Sequence, residues 1–100
     1  MRIALTTTQP TLVDPTVFTA FDVLAPGRDV ADVVAALGAD GAPCDDPGHL
    51  FVSIDAVRRL AGGHADEAWE AQLDGMVAYA SSNGWLSEDG AMIKAHLSQD

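Results

Sequence analysis

Two stretches rich in glycine and proline divide the chain and limit the length of every element between them. The first break is Ala25-Pro26-Gly27, and the second runs from Gly38 to Gly48. Proline lacks a backbone donor and glycine weakens regular structure, so neither break is expected to continue a helix or a central strand. The breaks predict an N-terminal β arm over residues 1–27 and a helical and hairpin core over 28–100. Together, these 100 residues suit one domain.

The N-terminal arm contains one strand and one ambiguous segment. Ile3 and Leu5 suit a strand, which Pro10 would end. Residues 14–24 are open to two interpretations, because Asp14-Pro15 is typical of a helix start whereas the apolar residues that follow favour a strand. We favour the strand, since β-branched and aromatic residues dominate the segment.

Three helices are predicted by capping residues and by apolar residues at helical spacing. The first helix is expected to start at Asp29 and to end at Gly38, and the second to start at Ser53 and to end at Gly62-Gly63. The third has the acidic residues Asp66, Glu67 and Glu70 in its opening turns and ends at Asn83-Gly84. A short buried strand at 50–52 precedes the second helix. The third helix has an apolar stripe, which places Trp69 in the core.

A β-hairpin is expected over 85–97. Asp89-Gly90 suits its tight turn, because both residue types tolerate positive φ. Residues alternate across a strand, so 93, 95 and 97 would face one side and 92, 94 and 96 the other.

From residue 29 onward the order is helix, short strand, helix, helix, hairpin, which resembles a winged helix-turn-helix domain. The residues that carry the resemblance are Phe51-Val52-Ser53-Ile54, Leu60-Ala61-Gly62, the run 80–86, and Glu88-Asp89-Gly90 at the wing tip. The resemblance implies an α+β fold with three helices, a short strand and a C-terminal hairpin, preceded by the β arm. In DNA-binding members the third helix carries basic residues into the major groove. Here that helix carries acidic residues and no lysine or arginine, so the resemblance implies protein docking.

The net charge of the chain, its single cysteine and its apolar runs limit the classes of partner and the cellular location that we expect. Fifteen acidic residues against five basic ones give a formal net charge of −10. Phosphate backbones and anionic membrane surfaces both attract positive proteins, so neither is expected as the partner. One cysteine permits no intramolecular disulfide, and no apolar run approaches a membrane span, so we expect a cytoplasmic protein.

One loop concentrates reactive residue types, namely Cys44, Asp45, Asp46 and His49. These residues form a candidate ligand loop, and they raise the hypotheses of a transition-metal site and of a Cys44–His49 nucleophilic pair. A structural zinc site usually needs four cysteine or histidine ligands, and Asp-Pro-Gly is common turn chemistry. We therefore interpret the segment as a polar loop and expect no catalytic residue, metal or cofactor.

A second group of residues is a candidate partner-binding site, namely Arg58, Arg59, Trp85, Met92, Lys94 and His96. Trp85 is expected to be a core plug where the third helix meets the hairpin, with an exposed aromatic anchor as the alternative. Arg58-Arg59 suits a solvated helix face, and could also bind an acidic partner or the chain's own carboxylates.

These features support three hypotheses of function. The first is a non-enzymatic accessory or protein-interaction module, with self-association through the N-terminal arm as one form of it. The second is a small enzyme or ligand-binding protein with a pocket between the 44–49 loop and the hairpin. The third is a winged-helix DNA-binding regulator, which the net charge disfavours.

Overall fold

Over the residues that the structure describes, the fold is α+β, with three α-helices, two short 3-10 helices and one six-stranded mixed sheet. The structure is a computed structural model that describes residues 1–7 and 9–99. The strands are β1 (Arg2–Ala4), β2 (Thr11–Val13), β3 (Asp22–Leu24), β4 (Gly41–Pro43), β5 (His49–Ser53) and β6 (Met92–Ser98). The helices are α1 (Val30–Leu37), α2 (Ile54–Ala61) and α3 (Glu67–Ser82). Within the described residues, no helix has the length and apolar character needed to cross a bilayer.

The last strand in the sequence lies in the middle of the sheet. The spatial order is β2-β1-β3-β6-β5-β4. Strand β6 runs parallel to β3 on one side and antiparallel to β5 on the other, and β1 is parallel to β3. The edge strands β2 and β4 are antiparallel to their neighbours. The two halves of the sheet are therefore joined only through β6.

The core is one apolar cluster to which four of the strands (β1, β3, β5 and β6) and all three α-helices contribute. Alternate residues of the central strands are fully buried, among them Ile3, Val23, Leu50 and Val52 at 0% exposure. They belong to the same cluster as buried residues of the helices, namely Val33, Val57, Trp69 and Leu73. Strands β1 and β3 thus belong to the same sheet and the same apolar cluster as the rest of the core.

The helix starts predicted from Asp29 and Ser53 are confirmed, and α3 begins one residue after Asp66, which is its cap and not part of its first turn as expected. The side chains of Asp29, Ser53 and Asp66 accept hydrogen bonds from backbone N–H groups of α1, α2 and α3, over 2.9, 3.2 and 2.8 Å. Gly38 and Gly62 follow α1 and α2 with positive φ, a conformation that glycine adopts without strain. These local signals place the helices without reference to the rest of the fold.

The C-terminal hairpin and the winged-helix order are not confirmed, and the strand count differs from the expected one. Of the residues expected to form the hairpin, those from Met92 onward belong to one strand, β6 (Met92–Ser98), and residues 85–91 contribute one isolated bridge, between Leu86 and Ile93. Strand β6 pairs with β5 over residues 92–96 and with β3 over residues 96–98, so it is a central strand of the sheet. Strands β2 and β4 were not predicted, and the strand expected within 14–24 covers only Asp22–Leu24.

The loop over 14–21 has a fixed place although it lacks regular structure. The amino group of Met1 donates hydrogen bonds to the carbonyl oxygens of Val17 and Ala20, over 2.7 and 2.8 Å. The indole Nε1 of Trp69 donates to the carbonyl of Pro15 over 2.7 Å. The ring of Phe18 packs edge-on against the same indole, with centroids 5.7 Å apart. Trp69 is 3% exposed, so its predicted core position is confirmed, and it anchors this loop.

Candidate functional site

A cleft opens where β3 is shorter than its neighbour β6. Strand β3 pairs only with residues 96–98 of β6. Beside the start of β6, the backbone carbonyl of Trp85 accepts the N–H of Lys94 over 2.7 Å. The space between Trp85 and the 18–21 loop that leads into β3 is a cleft of about 260 Å³. The topology of the sheet therefore creates the site.

The wall of the cleft is apolar and largely aromatic. It is formed by Phe18 and Phe21 of the loop, Met76 and Tyr79 of α3, and Trp85. Tyr79 and Trp85 remain 64% and 40% exposed, and their rings meet edge to face with centroids 5.8 Å apart. The expectation that Trp85 is a core residue is wrong. Its backbone is bonded to Ala80 and Lys94, and its indole lines the cleft.

The other end of the cleft is polar and consists of Asp46, His49, Lys94 and His96. Lys94 Nζ donates to Asp46 Oδ2 over 2.6 Å. His49 and His96 are cross-strand partners on β5 and β6, and their rings are in edge contact with centroids 5.2 Å apart. Apolar and charged surfaces thus meet within one small concavity.

The hydrogen bond of His49 fixes the roles of its two ring nitrogens. Its Nδ1 lies 3.0 Å from the carbonyl oxygen of Pro47. A carbonyl oxygen only accepts, so Nδ1 carries the proton and donates it. In the neutral ring, Nε2 is then a hydrogen-bond acceptor. The polar end therefore offers acceptors at His49 and Asp46 and a donor at Lys94.

The Asp46–Lys94 pair keeps both of its charges at neutral pH. The hydrogen bond from Lys94, followed by its positive charge, lowers the pKa of the Asp46 carboxyl below 3.8. The same hydrogen bond raises the pKa of the Lys94 ammonium above 10.5. Opposite charges in contact favour the ionised form of each other, so the pair is an ionic bridge between the 44–48 loop and β6.

Acid is expected to break this bridge at a pH below the ordinary pKa of aspartate, because the hydrogen bond from Lys94 lowers the pKa of Asp46. A carboxyl whose pKa is depressed by folding stabilises the folded state above its unfolded pKa, and that contribution is lost as the pH falls through the folded pKa. Titration of the Asp46 side-chain carbon by NMR should therefore give a midpoint below 3.8. In Lys94→Gln the midpoint should rise toward the ordinary value. An unchanged midpoint in that variant would contradict the ionic bridge.

The structure separates the residues of the candidate ligand loop. Asp46 and His49 line the cleft, whereas Asp45 is an exposed neighbour of Asp46. The thiol of Cys44 lies 3.7 Å from the carbonyl oxygen of Asp46, and the structure records no hydrogen bond between Cys44 and His49. Over residues 1–7 and 9–99, no cluster of three or more His, Cys, Asp or Glu side chains could hold a metal ion.

The partner-binding candidates also divide into two groups. Trp85, Lys94 and His96 line the cleft. Met92 lies outside it, in a shallow depression that also includes Phe51 and the 87–89 turn.

Arg58 and Arg59 bind the chain's own carboxylates, which was one of the alternatives that the sequence left open. Arg58 donates to Glu70 and Asp55 over 2.8 and 2.7 Å, and Arg59 donates to Asp40 over 2.7 Å. Both arginines lie outside the residues that form the cleft. Arg59, the more exposed of the two, is therefore a suitable control position for variants of the cleft.

Four residues of the cleft wall were not singled out from the sequence as functional, namely Phe18, Phe21, Met76 and Tyr79. Phe18 and Phe21 suggested a strand, and Met76 belonged to the apolar stripe of the third helix. Tyr79 lies next to that stripe and not on it. An aromatic residue in such a position indicates an exposed side chain that a partner could contact, and this signal was present in the sequence.

Comparisons of the chain with protein-family models, with curated proteins and with solved structures found no match. Any proposal about the function of this protein is therefore based on the residues and the chemistry of the cleft.

Proposed function

We propose that this protein is a non-enzymatic interaction module that recognises a protein partner through the cleft. The observation that supports this most strongly is the exposure of Tyr79 and Trp85, which touch each other at the cleft. Tyrosine and tryptophan dominate the energetics of protein interfaces, particularly when they flank a concave apolar surface. Burying them under a partner would remove their exposed apolar area from water.

The distribution of charge supports a protein partner over a nucleic acid. Four of the five basic residues form ion pairs with carboxylates of the same chain, namely Arg2, Arg58, Arg59 and Lys94. Helix α3 carries Glu67, Glu70 and Asp74 but no basic residue. Binding to phosphates depends on cations that can neutralise them. A partner with a basic surface around its contact residue would complement this acidic chain.

A second candidate function is the binding of a small molecule in the same cleft. The convergence of Asp46, His49, Lys94 and His96 at one end favours it, because ligand sites combine an apolar lining with a few placed polar groups. The volume of about 260 Å³ lies just below the range of about 300–1,000 Å³ for drug-sized ligands. The occupant would therefore be small.

The proposed function is tested by capturing the partner with matched variants. A tag at the C-terminus leaves the buried amino group of Met1 in place. The tagged protein is incubated with lysate of its source organism, and bound proteins are quantified by mass spectrometry. We expect one dominant partner that is lost in Trp85→Ala, since removing a tryptophan hot spot costs about 2 kcal/mol or more of binding energy.

The matched control is Arg59→Gln, which alters an exposed residue outside the cleft and should retain the partner. Thermal unfolding of both variants should remain close to that of the parent, because neither side chain is buried. Equal recovery of the partner with Trp85→Ala and with the parent protein would rule out the cleft as the docking site.

A further inference from the structure

The size of the cleft limits what a partner can place inside it. A space of about 260 Å³, lined on one side by Phe18, Phe21, Met76 and Trp85, suits one large apolar side chain. A run of several residues would need a longer groove, such as those that receive helices or extended peptides. The occupant is therefore a single residue that protrudes from its chain.

The polar end of the cleft lies directly beside the space for that side chain. The Lys94 ammonium has three N–H donors, of which one is used by Asp46. The Lys94 side chain is 18% exposed, so its stem is packed, whereas its ammonium forms a solvent-exposed hydrogen bond and can be reached by a second carboxylate. The exposed ring of His96 lies at the same end of the cleft and provides a second donor or acceptor.

The acceptors at this end complement a peptide N–H. Nε2 of His49 is an acceptor when the ring is neutral, because Nδ1 donates to Pro47. Asp46 uses Oδ2 for Lys94, and its other carboxylate oxygen can accept a second bond. One group combines a bulky apolar side chain, a carboxylate and an adjacent amide N–H, namely the last residue of a polypeptide.

We infer that the cleft captures the free C-terminus of a partner protein whose last residue has a large apolar or aromatic side chain. The side chain lies against Trp85 and Phe18, and the terminal carboxylate binds Lys94. The inference rests on the proposed function, because it assumes that the cleft is the docking site. The residues that precede this terminus are basic, since the surface around the cleft belongs to a chain with a net charge of −10.

The test compares two forms of one peptide. The probe is a short acetylated peptide with two lysines and a C-terminal phenylalanine, prepared with a free carboxylate and with an amide. Binding is followed by the fluorescence of Trp85, because Trp69 is buried and Trp85 is exposed. We expect the acid to bind about tenfold tighter than the amide or more, which is the range of a charge-assisted hydrogen bond.

Variants of Lys94 show whether the preference for the acid depends on the positive charge at this position. Lys94→Gln should remove the difference between acid and amide, whereas Lys94→Arg should preserve it. Arg59→Gln removes one positive charge from outside the cleft and should leave the difference unchanged. Retention of the preference for the acid in Lys94→Gln would overturn the assignment of Lys94, and the Arg variant guards against a general effect of altering this position.

Each remaining outcome also decides the inference. Equal binding of acid and amide, lost in Trp85→Ala when binding is measured by isothermal titration calorimetry, would overturn the capture of a C-terminus and leave the cleft as a docking site. Binding of N-acetylphenylalanine as tightly as the peptide would overturn the protein partner in favour of a small carboxylic acid. Failure of both peptide forms to bind would overturn the inference alone, since the proposed function is judged by whether capture of the partner depends on Trp85.

Discussion

Replacing Trp69 with alanine is expected to lower the free energy of unfolding by about 3–5 kcal/mol, the usual cost of removing a buried aromatic side chain. The indole is 3% exposed and belongs to the core cluster. It also donates to the carbonyl of Pro15 and packs against Phe18. Its removal would therefore leave a cavity under α3 and release the loop that forms one wall of the cleft. Urea denaturation, followed by circular dichroism, measures the change.

Two comparison variants divide this effect into its parts. Trp69→Phe keeps an aromatic ring but loses the N–H donor to Pro15, so we expect it to cost less than Trp69→Ala, while still leaving a part-buried carbonyl without this partner. Tyr79→Ala, at an exposed position on the same helix, should change stability by about 0.5 kcal/mol or less. If Trp69→Ala were as mild as Tyr79→Ala, the packing described for the 14–21 loop would be wrong.

Replacing Ile3 with alanine is expected to destabilise the whole fold by about 2–5 kcal/mol. Ile3 is 0% exposed, and its strand pairs with both β2 and β3. Because the N-terminal strands share one core with the helices, unfolding should remain a single transition at a lower urea concentration. Fluorescence and circular dichroism should report the same midpoint.

Val13→Ala provides the control for Ile3. Val13 lies on the neighbouring edge strand and is 39% exposed, so its replacement should cost about 1 kcal/mol or less. A cost for Ile3→Ala no greater than this, or an early transition confined to the first 27 residues, would show that the N-terminal part is a separable arm after all.

The helices were predictable because their signals are local. Asp29, Ser53 and Asp66 each cap the turn that directly follows, so a few neighbouring residues determine where each helix starts. The sheet was not predictable in the same way. The position of β6 depends on its pairing with β3, where Asp22 lies beside His96, and no local pattern records that register. Strands β2 and β4 contain three residues each, too few to show an alternation.

The site was partly predictable for a related reason. The sequence placed Asp46 and His49 in the candidate ligand loop because of their reactive side chains. It placed Trp85, Lys94 and His96 in a separate group, the candidate partner-binding site. They meet because β5 and β6 are antiparallel neighbours with His49 opposite His96. Arg58 was a candidate because of its charge alone. Asp55 and Glu70 bind it within the fold, and the distance between α2 and α3 that permits this is set by tertiary packing.

The central position of β6 has a consequence for the order in which the protein forms on the ribosome. Strand β6 is synthesised after all the other strands. Until it is available, β3 and β5 each lack the neighbour with which they pair in the complete sheet. Open strand edges invite pairing with other chains. Only when residues 92–98 emerge can they fill the gap between the halves, and the long-range contacts that they make are of the kind that slows folding. The same late event brings Lys94 and His96 to His49, so the cleft exists only once the last strand has been inserted.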